Sequence, residues 1–359
     1  MSLMTVLQYK LSFNTPAFLG NAQQQAQWRT PPIKALIRQW WRVVKAESVG
    51  YDVAKLLVDE GKIFGAAGDD SQSMGRSHVL IRLEHWDTGL LMPPPGDFVD
   101  HRESPVKKVA ANTYLGYGPI GTRNDRPSLD PAKAQNLLRL RVQEHDANSK
   151  LTSEVVQAIN LAAWFGGLGS RSRNAFGSVN WVAHGDTPKI EPLSPNALQR
   201  VTMDFGRALK RDWPHAVGAD GTGCLVWLTR KHPSWMSVMK ELACLKIALR
   251  TSPFFEFTSG GTYGHAQPLA RHVLAYPAGG KHAVSAIGWG KDGRMANQLR
   301  LRVQKCGDGY CGLIVHIPCG VPSHMRGTVR LPDEHLVWQT VHRFFDGRQE
   351  LTRLGDCSK

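Results

Sequence analysis

Cysteine is scarce in this chain of 359 residues: Cys224, Cys244, Cys306, Cys311, Cys319 and Cys357 are the whole supply. None forms a C-x-x-C pair, and the Cys306, Cys311, Cys319 group lacks zinc-ribbon spacing. A disulfide framework is therefore excluded, and reduced structural thiols with no bound metal are expected. Long apolar runs are also missing. No stretch approaches the roughly 18 residues that a membrane span needs. The segment Met1 to Phe13 alternates and has no apolar core of signal-peptide length. The expectation is a cytoplasmic protein with no membrane partner. Acidic residues are few beside basic ones, 30 against 44, which leaves a formal net charge of +14 and a pI near 9.7. A surplus of that size, spread along the chain, points to a polyanionic partner. The fourteen histidines supply neither H-x-x-x-H nor H-E-x-x-H, so the zinc-hydrolase helix is absent.

What is present reads as an α+β protein. "MTVLQYKLSF" (4–13) alternates with period two and predicts a strand. "TPPIKALIRQWWRVVKA" predicts a helix, with Thr30 as its cap and Pro31 in its first turn. "SHVLIRLEHW" and "LLRLRVQEH" predict strands. A long irregular region, 88–130, rich in Pro, Gly and Asp, separates them. "TSEVVQAINLAAWF" predicts a helix capped by Thr152 and stopped by Gly166, and "AFGSVNWVA" predicts the strand after it. The order is β-α-β-β-α-β with insertions, that of the ferredoxin-like motif. "GDTPKIEPLSP" reads as a linker, which gives one domain over 1–187 and a second over 188–359. The second holds strand patterns in "CLVWLT", "QLRLRVQ" and "GLIVHIP". It holds helical patterns in "SWMSVMKELACLKIALR" and "DEHLVWQTVHRFFDG". The hexapeptide "LRLRVQ" occurs at 138–143 and again at 299–304. Its recurrence about one domain apart suggests a diverged duplication.

The densest chemical signal is "FGGLGSRSRNAFGS" (165–178). Nucleotide-binding loops run strand, loop, helix, so that the positive helix end meets phosphate. Here the order is helix, loop, strand. Ser172 stands where a third glycine belongs, and no Gly-Lys-Ser/Thr follows. A nucleotide cofactor is therefore not expected, and no other cofactor is implied. An extended polyanion suits the loop better. Gly166, Gly167 and Gly169 let the main chain approach a phosphodiester, and successive amides can form an anion nest. Arg171 and Arg173 would offset the adverse helix end and fork onto phosphate oxygens. Ser170, Ser172 and Asn174 add polar groups. None of these needs to read a base, so backbone recognition without sequence preference is expected. On the first predicted helix, Lys34, Arg38 and Arg42 lie opposite an apolar face. With Trp41 they offer a basic stripe and one ring for a stacked base.

Taken together, "FNTPAFLGNAQQQAQWRTPPIKALIRQWWR", "IFGAAG" with "SHVLIRL", "YLGYGP" and "FGGLGSRSRNAFGSV" resemble the RAMP superfamily of CRISPR systems. More narrowly they resemble the first-numbered subunit of the Cmr module of type III-B effector complexes. The resemblance covers much of the first domain in order, and "NQLRLRVQKCGDGYCGLIVHIP" adds a looser likeness in the second. It implies two ferredoxin-like (RRM-like) units in tandem. It implies a non-catalytic RNA-binding subunit near the crRNA 3′ end of an antiviral ribonucleoprotein, with crRNA, target RNA and other RAMP subunits as partners. It places the 166–177 loop on RNA backbone, with the Lys34, Arg38 and Arg42 helix as a second contact. Asn174 departs from the second basic residue that family loops often carry there. The alternative is an endoribonuclease that processes crRNA precursor or cuts target RNA. Some relatives use a histidine base, which singles out His78 and His85 beside a strand. Others cut with an aspartate in a loop near Asp69 and Asp70, a pair that could hold Mg²⁺.

Overall fold

The structure is a computed structural model, and it describes residues 4–66, 75–144, 150–257, 264–277, 282–290, 292–295, 297–327 and 329–355. The chain divides into two compact units. The first holds Met1–Pro94, Gly116–Leu193 and Arg302–Gln304; the second holds Pro95–Leu115, Ser194–Leu301 and Lys305–Lys359. The principal boundary thus falls after Leu193, and the irregular 88–130 region is shared between the units instead of hanging from one. No helix of the described residues is long and apolar enough to cross a membrane.

In the first unit the chain runs β1 (Met4–Phe13), α1 (Thr30–Ala46), α2 (Val53–Phe64), β2 (Val79–Leu83), β3 (Gln135–Gln143), α3 (Leu151–Phe165) and β4 (Val179–Ala183). The sheet order is β2–β3–β1–β4, and every neighbouring pair is antiparallel. Alternation sets one buried face: Leu7, Tyr9, Leu11 and Phe13 of β1 lie alongside Leu138, Leu140 and Val142 of β3. α1 begins with Pro31 and Pro32 in its first turn, but Thr30 is already helical and the flanking position is Arg29. Thr152 is likewise inside α3. The carboxylate of Glu144, at the end of β3, accepts from the Leu151 and Thr152 amides at 3.2 and 2.8 Å. A carboxylate there also suits the positive end of the helix. α3 is apolar nearly all round, and so it is buried nearly all round, from Leu151 to Phe165.

In the second unit β5 (Val226–Thr229), α4 (Trp235–Arg250), β6 (Leu299–Cys306, of which Arg302–Gln304 group with the first unit), β7 (Gly309–His316), α5 (Glu334–Asp346) and β8 (Leu351–Arg353) follow in chain order. Their sheet order is β6–β7–β5–β8. Numbered within each unit, both sheets read second, third, first, fourth strand. The segment 95–115 adds a small hairpin, Phe98–Asp100 with Lys108–Ala110. No disulfide links the described cysteines, and no group of His, Cys, Asp and Glu able to hold a metal occurs among the described residues.

Candidate nucleic-acid interface

The loop between α3 and β4 is laid against residues 14–20 of its own unit. The Ser170 amide donates to the Phe18 carbonyl at 3.0 Å, and the Gly177 amide donates to the Pro16 carbonyl at 2.9 Å. The Leu168 amide donates to the Gly177 carbonyl at 2.9 Å, and the Thr15 hydroxyl donates to the Ala175 carbonyl at 2.6 Å. Two glycines are required by this packing. At Gly169 (φ +89°) a Cβ would stand 2.4 Å from the Phe18 carbonyl oxygen. At Gly177 (φ +61°) it would stand 1.9 Å from that of Leu168. Gly166 and Gly167 also face their own chain, with Ala162 oxygen and Ser172 as the nearest neighbours. The loop's internal fit therefore demands glycine at Gly169 and Gly177 in its own right.

What the loop turns outward is its polar tip. Ser170 and Arg171 are exposed, and Ser172, Arg173 and Asn174 are half-buried. The tip is a tight turn closed by the Asn174 amide on the Arg171 carbonyl at 2.8 Å. Arg171 sits at φ +60°, a left-handed conformation that costs a non-glycine residue about 1–2 kcal/mol. Strain of this kind persists where the surroundings impose it, and it clusters at binding sites. Partial burial lowers the Arg171 pKa, yet a guanidinium stays charged in proteins.

The negative end of α3 is neutralised from elsewhere. Arg302 of β6, a residue of the first unit, donates through Nη1 to the Ala162 carbonyl at 3.3 Å and to the Gly166 carbonyl. Its Nη2 donates to the Val179 carbonyl. One buried cation therefore ties the end of α3, the start of the loop and the start of β4. This corrects the assignment of that task to Arg171 and Arg173, which are left to the tip. Burial pushes the Arg302 pKa down to about 9, so it is charged at neutral pH, as a helix C-terminus favours. Arg302→Met is expected to cost about 2–3 kcal/mol, since it removes a charged donor from the Gly166 and Val179 carbonyls, while the Ala162 carbonyl keeps the Gly166 amide at 2.9 Å. Chemical denaturation reads that loss, and an unchanged midpoint would show that the Gly166 and Val179 carbonyls do not depend on Arg302.

The basic face of α1 is largely spent within the protein. Arg38 Nε meets Glu60 Oε1 at 2.6 Å, and Arg42 reaches the two Glu60 oxygens at 2.5 and 2.7 Å. Glu60 comes from α2, a helix not expected from the sequence. Its burial raises its pKa, but the hydrogen bonds and charges of Arg42 and Arg38 prevail and hold it low. Lys34 donates to Ser77 Oγ at 3.1 Å, and burial, then Arg38, lower its pKa. Trp41 requires a correction. Its side chain is 0% exposed, lies edge-on to Phe64 and donates Nε1–H to Glu154 at 2.9 Å. No face of the indole is open to a base.

Beyond the loop lies a cleft of about 420 Å³, lined by Trp28, Leu91, Leu129, Asp87, Asp130 and Lys133 among others. At its rim, His85 Nδ1 lies 2.7 Å from Asp87. The His78 amide donates to the Ile63 carbonyl at 2.8 Å. Asp69 and Asp70 lie outside the described residues.

Comparison with solved structures fixes the type of fold. The chain resembles Cmr1 from Pyrococcus furiosus in its apo form, with a TM-score of 0.52 at 16% identity, over 98% of this chain and 98% of that one. It also resembles a chain of the type III-B Cmr-beta complex bound to cognate target RNA, with a TM-score of 0.50 at 12% identity, over 87% of this chain and 94% of that one. The chain has the fold of Cmr1. No family model and no curated protein matches it.

Proposed function

We propose that this protein is a non-catalytic, RNA-binding subunit of a type III-B CRISPR effector, contacting crRNA or target RNA near the crRNA 3′ end. The fold it shares over nearly its whole length with Cmr1 supports membership in such an assembly, with other RAMP subunits as neighbours. The recurrence of one strand order in both sheets supports two ferredoxin-like units in tandem. The observation that carries RNA contact is the tip at Ser170–Asn174, where Arg171 is held outward in a left-handed turn. A tip of hydroxyls and guanidinium groups suits phosphate oxygens, and contacts of that kind need no particular base.

The double variant Arg171→Ala, Arg173→Ala is expected to bind unrelated single-stranded RNAs more weakly by a similar factor. Its plot of log affinity against log salt should be shallower by roughly two units. Electrophoretic shifts at several salt concentrations measure both. A loss confined to one sequence would sink backbone recognition. The same RNA run on a denaturing gel with Mg²⁺ tests the endoribonuclease reading: the RNA should stay intact. Cleavage abolished by Asp69→Asn with Asp70→Asn, or by His85→Ala, would make the protein a nuclease.

A further inference from the structure

The buried side of the first sheet is closed by apolar side chains; its other side is open. The open side is built by alternate residues of four strands, and the register fixes which of them are neighbours. Val6 faces Arg141, Gln8 faces Arg139 and Lys10 faces Leu137 across the β1–β3 pair. Across the β2–β3 pair, Leu80 faces Arg141 and Arg82 faces Arg139. Lys10 faces Val182 of β4. Lys10, Arg82, Arg139 and Arg141 are all exposed. The strand residues on this side include no acid and no aromatic ring. Among the described residues the only carboxylate recorded against the four cations is Glu84, one residue past β2, at 3.7 Å from Arg139. That exposed pair contributes little.

Such a face is costly to keep. Like charges directly opposite one another weaken a strand pair, and Arg82 stands directly across from Arg139. A polyanion laid across the strands would turn this repulsion into attraction. The spacing suits one. Arg139 and Arg141 are two residues apart on one strand, roughly 7 Å, a span on the scale of one nucleotide step in an extended strand. Guanidinium groups fork onto phosphate oxygens, and exposed Val6 and Leu80 leave apolar ground between them for sugars. The sheet also follows directly on the loop in the chain. β4 begins at Val179, two residues after Gly177, and its pairing with β1 runs from Phe13–Val179 at the loop end to Tyr9–Ala183.

We propose that the open face of the β2–β3–β1–β4 sheet is a second phosphodiester track, carrying the backbone of a single-stranded RNA away from the loop through Lys10, Arg139, Arg82 and Arg141. The proposal rests on the reading of the chain as an RNA-binding subunit. Without aromatic rings the face has no platform on which to stack a base, unlike sheets that stack two or three bases, and its cations are directed to backbone phosphates.

The test uses the full chain and labelled single-stranded RNAs of two lengths, one long enough to run from loop to sheet and one too short. Arg82→Gln, Arg139→Gln, Arg141→Gln is the sheet variant, and Arg171→Ala, Arg173→Ala the loop variant. The sheet variant should fold, with a melting temperature equal to or above that of the native chain, because it relieves a like-charge pair. It should bind the long RNA with a salt slope shallower by about two to three units and bind the short RNA as before. A native affinity of the sheet variant for the long RNA, alongside a weakened loop variant, would overturn the track and leave RNA binding by the loop standing. An acidic protein segment would then be the occupant of choice. Failure of the native chain to bind either RNA would bring down the RNA-binding reading and the track with it.

Discussion

Gly177→Ala is expected to unfold the loop and destabilise the first unit by about 4 kcal/mol or more, while Gly185→Ala costs about 1–2 kcal/mol. Both glycines have φ +61°, so the conformational penalty on an alanine is the same, about 1–2 kcal/mol. What differs is the surroundings. At Gly185 a Cβ would meet nothing within 4 Å, whereas at Gly177 it would lie 1.9 Å from the Leu168 carbonyl oxygen. That oxygen is backbone, and the Leu168 amide is itself held by the Gly177 carbonyl at 2.9 Å. Neither side can yield without parting the loop's own hydrogen bonds. Costs of this size come from a short list of causes, and a backbone clash at a special dihedral is one of them. Thermal or urea unfolding of the two variants side by side gives the comparison. Equal losses would mean that the loop relaxes around the added methyl and that its packing is not what demands glycine. RNA binding should follow the same order, weakened in the Gly177 variant because Arg171 loses its imposed turn, and unaltered in the Gly185 variant.

The hexapeptide "LRLRVQ" shows what the sequence can and cannot say. At 138–143 its alternation has the expected meaning: leucines inward, Arg139 and Arg141 outward. At 299–304 the same letters fold into a strand buried on both faces, with Arg300 and Arg302 inside. Periodicity specifies a strand but not whether a second layer covers its polar side, since that depends on residues far away in sequence. Arg302 was invisible for this reason, although it is the cation that ends α3. The two copies also sit on different strands of their units, the third in one and the second in the other. The recurrence therefore does not align the two sheets, whose strand order nevertheless agrees. Strands and helices with strong periodicity were legible, and so was the Gly166 stop. α2 was missed because Val53, Leu57 and Val58 on its outer side are exposed, which blurs the apolar stripe. Glu60 on that helix then decided the state of α1's arginines. Trp41 was misread because a tryptophan beside a cation looks like a platform until a half-buried carboxylate from another helix claims its N–H.

Acid should unfold the second unit well before its carboxylates titrate. Three buried histidines there are held neutral by burial, and hydrogen bonds fix their tautomers. The Gln298 amide oxygen accepts from the Cys319 N–H at 2.9 Å and its nitrogen donates to the Cys319 carbonyl at 2.6 Å, which fixes its orientation. His316 must then present Nε2–H to that oxygen at 3.2 Å, so its Nδ1 is an acceptor and takes Nε2–H from His342 at 2.9 Å. His272 accepts at Nδ1 from the Leu269 amide and donates at Nε2 to the His282 carbonyl. A further proton on any of the three would have to enter a site with no water to solvate it. Burial pushes His342 to about 3 and His272 to about 4, and drives His316 well below its ordinary value. Depressed folded-state values mean that the unfolded chain binds more protons as pH falls. The stabilisation is complete above an unfolded pKa of about 6.5 and drains away as pH drops through the window toward the folded values. Between pH 7 and 5 that is a loss of about 2 kcal/mol per histidine, enough in sum to exhaust the stability of an ordinary domain. Urea midpoints at pH 7, 6 and 5 measure it. His342→Gln, whose amide can still donate to His316, should remove one proton from the linkage and flatten the slope below pH 6.5 by about 1.4 kcal/mol per pH unit. Midpoints that do not move between pH 7 and 5, or a variant slope identical to the native one, would show that these imidazoles take up protons in the folded protein as readily as in the unfolded chain and that the hydrogen-bond chain from Gln298 to His342 does not hold them neutral.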